Sequence, residues 1–352
     1  MKTSSFLVVQ TAFLGDLLLS IPLLKNIKKH YPSAKVGLVC RQSLLPLMKS
    51  LNIVDEIYPI IKKDKDSYSK VIKDINAAKF DTLLCLHESF RSHIFIHKLK
   101  IKQKIGFKKA WNAMFFHHRI VRPMHLPEPL RACSLLSLIQ PDFAIKWQAE
   151  CEKFNRQLPR SSTYLDRDIG ADFSMQLEVE ALQPLKKDYV VMAPGSVWPT
   201  KRWTSEGFVA LAKYFIAKDF EVVLLGAAEE QEVCNAIARQ VVLIKNICGK
   251  TNLVEALRWI AGAKLLVSND SGPMHMAAVT NTPNITIFGP TTLDLGYQPW
   301  QNQAYIMQKD LTCRPCGSHG HKVCPIGTHE CMKSLKASEL VKIFEEKINA
   351  NL

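Results

Sequence analysis

Several signatures that fix a function at sight are missing from this 352-residue chain. No G-x-G-x-x-G follows the first apolar run and no G-x-x-x-x-G-K-[ST] occurs anywhere, so dinucleotide binding and P-loop hydrolysis lose support. H-E-x-x-H and G-x-S-x-G are absent too, which removes the zinc-protease helix and the nucleophile elbow. No window of 18 residues is apolar enough to cross a bilayer. Near the start, Gln10, Gly15 and Asp16 interrupt the hydrophobic stretch and no small-x-small cleavage site follows, so no signal peptide is read there. A cytoplasmic protein is expected, with peripheral attachment to the cytoplasmic face of a membrane left open. No internal repeat at solenoid periods is present.

Acidic residues are in deficit: 32 Asp and Glu stand against 46 Lys and Arg, a formal charge of +14. Such an excess points to an anionic partner. The basic residues are scattered and none of the aromatic-rich nucleic-acid modules occurs. The preferred partners are therefore a sugar phosphate or an anionic lipid surface, and no nucleic acid. Ten cysteines in a reducing compartment imply free thiols or metal ligands rather than disulfides.

What is present alternates. Residues 5–9 read as a buried strand, and a helix starts near Asp16 with Leu17, Ile21, Leu24 and Ile27 at helical spacing. Residues 36–40 form the next strand, giving a unit of the length a right-handed parallel crossover needs. Strands over 53–60 and 82–86 and a helix over 67–78 follow. Residues 91–125 are basic, aromatic and hard to assign. Periodicity fades over 159–188, which reads as an interdomain connection. The second half alternates strands at 189–193, 221–225, 264–267 and 284–288 with helices at 204–218, from 229, and at 253–260. This pattern means α/β domains, each a doubly wound parallel sheet covered on both faces, with ligands at the carboxyl ends of the strands.

Three turns fall at such ends: 13–16, Pro194-Gly195-Ser196 through Lys201, and Ser268-Asn269-Asp270-Ser271-Gly272-Pro273-Met274-His275. The third joins a buried strand to a helix; Asp270 or Ser271 can cap that helix, Gly272 permits a tight turn and Pro273 suits its first position. A helix N-terminus is a ready phosphate site. Ser196 offers a hydroxyl and Lys201 a flexible point charge. Taken singly, Lys201 reads more readily as a solvated lysine and Asp16 as a plain N-cap. A carboxylate at a cleft mouth also suits removal of a proton from an attacking hydroxyl.

The runs Gly15-Asp16-Leu17-Leu18-Leu19-Ser20-Ile21-Pro22, Pro194-Gly195-Ser196 with Lys201-Arg202-Trp203, and Asn269-Asp270-Ser271-Gly272-Pro273-Met274-His275 with Phe288-Gly289-Pro290-Thr291 resemble the bacterial heptosyltransferases, glycosyltransferase family 9. The resemblance spans both halves in the expected order. It implies the GT-B architecture, two Rossmann-like domains facing across a cleft. It also implies inverting transfer of heptose from ADP-heptose to the inner core of lipopolysaccharide, without cofactor or required metal. Carried over by position, Asp16 is the general base, and Ser196 and Lys201 lie around the diphosphate and sugar. Glu230 holds the ribose hydroxyls and Asp270 the heptose hydroxyls. Ser271, Gly272 and Pro273 line the diphosphate, and His275 is a motif position without an assigned role. The implied domains are 1–172 for the acceptor, 173–335 for the nucleotide sugar, and a last helix in 336–352 that returns to the N-terminal domain.

A basic surface suits an acceptor rich in phosphates and acidic sugars; Arg91, Lys104 and Arg119 are candidates for that contact. The anionic inner-membrane surface is the further expected partner. Cys313, Cys316, Cys324 and Cys331 stand among His319, His321 and His329. Their spacing leaves a structural metal and reduced thiols both open, and similar tails favour a heptosyltransferase II-like subgroup, hence addition of the second heptose. Another nucleotide sugar or acceptor, a nucleotide-sugar epimerase and a non-catalytic nucleotide-binding module remain as alternatives.

Overall fold

Apolar, β-branched runs bounded by polar turns fold as strands buried on both faces, and helices cross over between them. The computed structural model describes residues 5–156 and 164–349. They form two compact units, the first of 5–156 with 169–175, the second of 164–168 with 176–349. Residues 159–163 of the expected connection lie outside the described residues.

The first unit runs β1 (Ser5–Val9), α1 (Leu14–Leu18), α2 (Ile21–His30), β2 (Lys35–Arg41), α3 (Leu45–Leu51), β3 (Glu56–Ile60), α4 (Lys65–Ala78), β4 (Thr82–Cys85), α5 (Phe90–His97), β5 (Gln103–Phe107), β6 (His118–Ile120), α6 (Glu128–Ser137) and α7 (Pro141–Arg156). Its six strands are parallel in the order β3-β2-β1-β4-β5-β6. All five residues of β1 are buried, with Leu7 opposite Gly37 on one side and Leu83 on the other. The single helix expected from Asp16 is two. Ser20 donates its hydroxyl to the Leu17 carbonyl, and Pro22, which lacks an N–H, opens α2. The strand expected at 53–60 starts only at Glu56, because α3 runs to Leu51 and Asn52 ends it in the left-handed region. The unassigned stretch 91–125 supplies most of α5 and both strands of the sheet's far edge.

The second unit runs β7 (Tyr164–Asp166), β8 (Tyr189–Ala193), α8 (Ser205–Ala217), β9 (Glu221–Leu224), α9 (Gln231–Ala238), β10 (Ile244–Asn246), α10 (Leu253–Ala261), β11 (Leu265–Asn269), α11 (Gly272–Thr280), β12 (Asn284–Ile287), β13 (Gln303–Met307), α12 (Glu330–Lys333) and α13 (Ala337–Ile343). The strand order is β10-β9-β8-β11-β12-β13-β7, parallel except for β7, which closes the edge antiparallel to β13. Local chemistry sets the helix starts. Thr204 caps α8 by accepting the Gly207 N–H, and Asn252 with Glu255 forms a capping box on α10.

The last helical stretch packs within the second unit. Leu340, Phe344 and Ile348 are buried in the second unit's own core with Phe208, Phe215 and Trp203. Phe344 meets Phe215 edge-on at 4.9 Å. That apolar face is already occupied.

Candidate active site

Each sheet reverses strand direction of growth once, between β1 and β4 in the first unit and between β8 and β11 in the second. At such a switch point the loops leaving the two central strands diverge and leave a crevice at their carboxyl ends. The motif residues fall at these two places.

In the second unit the turn after β8 and the turn after β11 are tied together. Asn269, the last residue of β11, donates its amide to the Pro194 carbonyl at 2.8 Å and accepts the Trp203 N–H at 3.0 Å. Between these anchors the Lys201 ammonium lies 2.6 Å from Asp270, with only 13% and 7% of the two side chains exposed. The Thr291 hydroxyl donates to the same carboxylate oxygen at 2.6 Å. Ser196 is buried; its hydroxyl accepts the Trp198 N–H at 3.3 Å and its carbonyl accepts Arg202 Nε at 2.9 Å.

Ser271 is the N-cap of α11, with Gly272 and Pro273 the first two helical residues. The expected capping by a side chain is corrected. Asp270 is engaged by Lys201 and Thr291, and the Ser271 hydroxyl donates to the Asn269 carbonyl. Among the described residues no side chain caps this helix; Pro273 has no N–H and the Met274 N–H donates to the Ser271 carbonyl at 3.3 Å, so the helix presents the Gly272 N–H to the turn with the positive end of the dipole. Gly272 sits in the helix, not in a left-handed turn. His275 is buried, with no hydrogen-bond partner for Nδ1 among the described residues. Burial, aided by Lys201 and opposed by Asp270, pulls its pKa down to about 4, so the ring is neutral at pH 7.

Glu230 closes the far side of the turn. Its carboxylate accepts the Ala227 N–H at 2.9 Å and lies so close over Gly195 that a Cβ there would fall 2.0 Å from it. Only glycine allows the strand end and the carboxylate to meet. Burial raises the Glu230 pKa, against the pull of the Ala227 N–H and Arg202.

The cysteine-rich segment braces this site. His329 Nε2 donates to the Thr200 carbonyl at 2.8 Å, and the His321 N–H donates to the Thr200 hydroxyl at 2.7 Å. Arg314 donates to the Thr291 carbonyl at 2.8 Å. Lys201 and Thr291 are thereby held from behind by residues whose position in the chain gave no hint of it. All ten cysteines are free thiols. Among the described residues no three His, Cys, Asp or Glu side chains gather closely enough to hold a metal ion.

Asp16 belongs to the first unit. It is the third residue of α1, its carboxylate accepting the Phe13 N–H at 3.2 Å, so the plain N-cap alternative is corrected. Beside it the Arg41 guanidinium stacks 4.1 Å above the Phe13 ring and donates to the Thr11 carbonyl at 3.0 Å. At the switch point, Thr11 after β1 and His87 after β4 meet at 2.8 Å, and Ser92 closes on the same His87 nitrogen at 2.7 Å. A cavity of about 570 Å³ opens there, lined by Thr11, Lys62, Tyr68, His87, Ser89 and Arg91 among others. Burial and the neighbouring Arg41 and Arg91 lower the Lys62 pKa, with Asp16 opposing. Lys62 and Arg91 form no ion pair among the described residues. Positive charge is therefore gathered at this cavity. Burial, with Lys62 and Arg41, pulls His87 to about 4.

Of the three suggested cationic contacts, only Arg91 lines this cavity. Lys104 is buried within β5, its pKa lowered by that burial, and Arg119 turns to Lys109 and Asn112 at the rim of β6. Lys62, Arg41, His87 and Arg314 were not anticipated, nor was the bond from Thr291, a residue of the run 288–291, to Asp270. Lys62 alone had a signal, standing just past a strand end.

The chain, with such a crevice on each of two doubly wound sheets, is a glycosyltransferase: it belongs to glycosyltransferase family 9 (heptosyltransferase), whose sequence model matches residues 68–326. It is 28% identical over 340 residues to lipooligosaccharide heptosyltransferase 2 of Campylobacter jejuni, covering 94% of each protein. Its fold is that of the solved Escherichia coli ADP-heptose LPS heptosyltransferase II, with a TM-score of 0.76 at 21% identity over 98% of this chain and 99% of that one. A family 9 glycosyltransferase from Veillonella parvula superposes with a TM-score of 0.78 at 20% identity, over 100% and 99% of the two chains. The expected GT-B fold class and family are thus met.

Proposed function

We propose that this enzyme transfers heptose, with inversion, from ADP-heptose to the inner core of lipopolysaccharide, adding the second heptose. The observation that carries the reading is the likeness to a heptosyltransferase 2 along nearly the whole of both chains. The geometry supports it: a buried ammonium and an uncapped helix start stand together at the second sheet's switch point, where a diphosphate would be met by fixed positive charge.

In this reading Lys201, Ser196 and the start of α11 hold the diphosphate, Glu230 the ribose hydroxyls, and Asp270 orients Lys201 while reaching the sugar. Asp16 takes the proton of the acceptor hydroxyl as its oxygen attacks the anomeric carbon. The bond from that carbon to the β-phosphate oxygen breaks, and ADP leaves with the electron pair, its charge stabilised by donors already in place. The cationic cavity of the first unit receives an acidic group of the acceptor. Since that acceptor is lipid-anchored, contact with the anionic inner-membrane surface and a cytoplasmic location belong to the same reading. Among the described residues no helix is long and apolar enough to cross a membrane.

The test is ADP release from ADP-heptose with and without a heptose-deficient lipopolysaccharide core. Acceptor-dependent release, abolished in Asp16→Asn while ADP affinity stays within about twofold, is the expected outcome. Release that ignores the acceptor, or loss of ADP binding in Asp16→Asn, overturns the assignment.

A further inference from the structure

The stretch 90–125 contains nine Lys and Arg and not one Asp or Glu. It folds as α5, β5, β6 and the loops between them. Its charge alone would suit any polyanion, but its apolar residues point outward as well. On α5 the inward face holds Ser92, His93, Phe95 and Ile96, all buried. The outward face carries Phe90, 61% exposed, and Ile94, 41% exposed, one turn apart, with Arg91 between them. A core helix does the reverse.

The neighbouring loop extends this surface. Trp111, 46% exposed, packs against Phe90 with ring centroids 5.4 Å apart, and Met114 is 72% exposed. Trp111 is not a loose side chain. Its ring stands edge-on to the buried His93 at 4.8 Å, which fixes how far it projects. Lys108, Lys109, His117 and His118 are exposed around it. The patch also adjoins the cationic cavity, since Phe90, Arg91 and Ile94 line both.

We propose that this face docks on an anionic lipid bilayer, with Phe90, Ile94, Trp111 and Met114 entering the headgroup layer and the surrounding lysines meeting acidic headgroups. The chemistry is complementary on both counts. Aromatic rings anchored at their base suit the interfacial layer, and a stretch with nine basic and no acidic residues suits a negative surface even though Lys109 shares its charge with Glu88. A nucleic acid fits less well. Met114 and Ile94 offer no stacking face, and the aromatic rings pack on each other and on the protein rather than standing as separate platforms. Docking here would present the mouth of the cavity to a membrane-anchored glycan, so the functional value of the surface rests on the acceptor reading above, although the binding itself does not.

The experiment is co-sedimentation of the full chain with vesicles of phosphatidylcholine alone or with one-third phosphatidylglycerol, at low and high salt. Binding to the anionic vesicles, weakened by salt, is expected. Phe90→Ser with Trp111→Ser lowers it by about tenfold or more, roughly what withdrawing one large apolar side chain from a bilayer costs. As a control that needs no unfolding-prone variant, lipids brominated near the headgroup quench the native protein's tryptophan emission, and Trp111→Phe removes that quenching. Equal binding to neutral and anionic vesicles, quenching that persists in Trp111→Phe, or retention by single-stranded DNA in place of vesicles overturns the proposal. Vesicle binding by a protein that fails to use ADP-heptose leaves the surface standing and refutes only the substrate reading.

Discussion

Replacing Lys201 by Met removes the charge at the centre of the second unit's site and little of its volume. The ammonium has three N–H groups, of which the Asp270 carboxylate takes one. The others are available to the diphosphate of ADP, and a hydrogen bond to a charged group contributes about 1.5–3 kcal/mol. ADP affinity should therefore fall about 10- to 150-fold. The upper end is expected, because Asp270 is 7% exposed and among the described residues keeps only the Thr291 hydroxyl, leaving a buried carboxylate that repels the incoming phosphates. Adding Asp270→Asn to Lys201→Met should then recover part of the loss, an interaction that independent sites would not show. Calorimetric titration with ADP and with adenosine separates the effects, since adenosine has no phosphate for Lys201 to reach. Equal weakening for both ligands, or an undiminished affinity for ADP, would refute the placement of the diphosphate at Lys201.

Other expectations follow from the same geometry. Gly195→Ala puts a methyl group against the Glu230 carboxylate and should displace it, weakening both ADP and adenosine while thermal stability changes little; loss of ADP binding alone would contradict the ribose role. His329→Ala removes the donor to the Thr200 carbonyl and should lower kcat/KM for the sugar nucleotide about fivefold, with His329→Gln, which keeps an N–H at the same reach, largely restoring it; steady-state kinetics on the pair decide. Stability should fall with acid below about pH 6.5. The unfolded chain protonates His87 and His275 near that value and the folded one only near pH 4, so the unfolded state binds more protons throughout the window and stability rises with pH. The effect is on the order of 3 kcal/mol for the fully buried His275 and less for His87. Melting curves between pH 7 and pH 4.5 should show it, and His275→Gln should flatten the dependence.

The alternation of apolar strands and amphipathic helices was legible in the sequence because each parallel strand is buried on both faces and reads as an uninterrupted apolar run. Tyr189–Ala193 is such a strand, found where the pattern put it. The stretch 91–125 was not legible for the opposite reason. Its helix shows the solvent an apolar face and its edge strands are short, so neither period survives. The strand–turn–helix motif around Asp270 carries its own signal, since Pro, Gly and a small polar residue are each needed for a helix to start sharply after a strand. Its pairing with its partners carries none. Thr291 comes 21 residues later and His329 lies 129 residues beyond Thr200, and only the fold brings them together. For the last helix, amphipathic periodicity says that a face will be covered, not by what.

The antiparallel strand β7 and the helical stretch 337–348 have a consequence for taking the protein apart. The second unit is not a contiguous piece that begins where the second run of strands begins. A fragment cut at residue 176 starts without β7 and leaves the β13 edge with open backbone N–H and carbonyl groups, a template for pairing with another copy. A fragment ended at 335 loses Leu340, Phe344 and Ile348 from the core and bares the apolar surface of Phe215. A stable half-enzyme for nucleotide screening must therefore start before residue 164 and run through 349, tolerating as a tether the first-unit residues 169–175 that lie between.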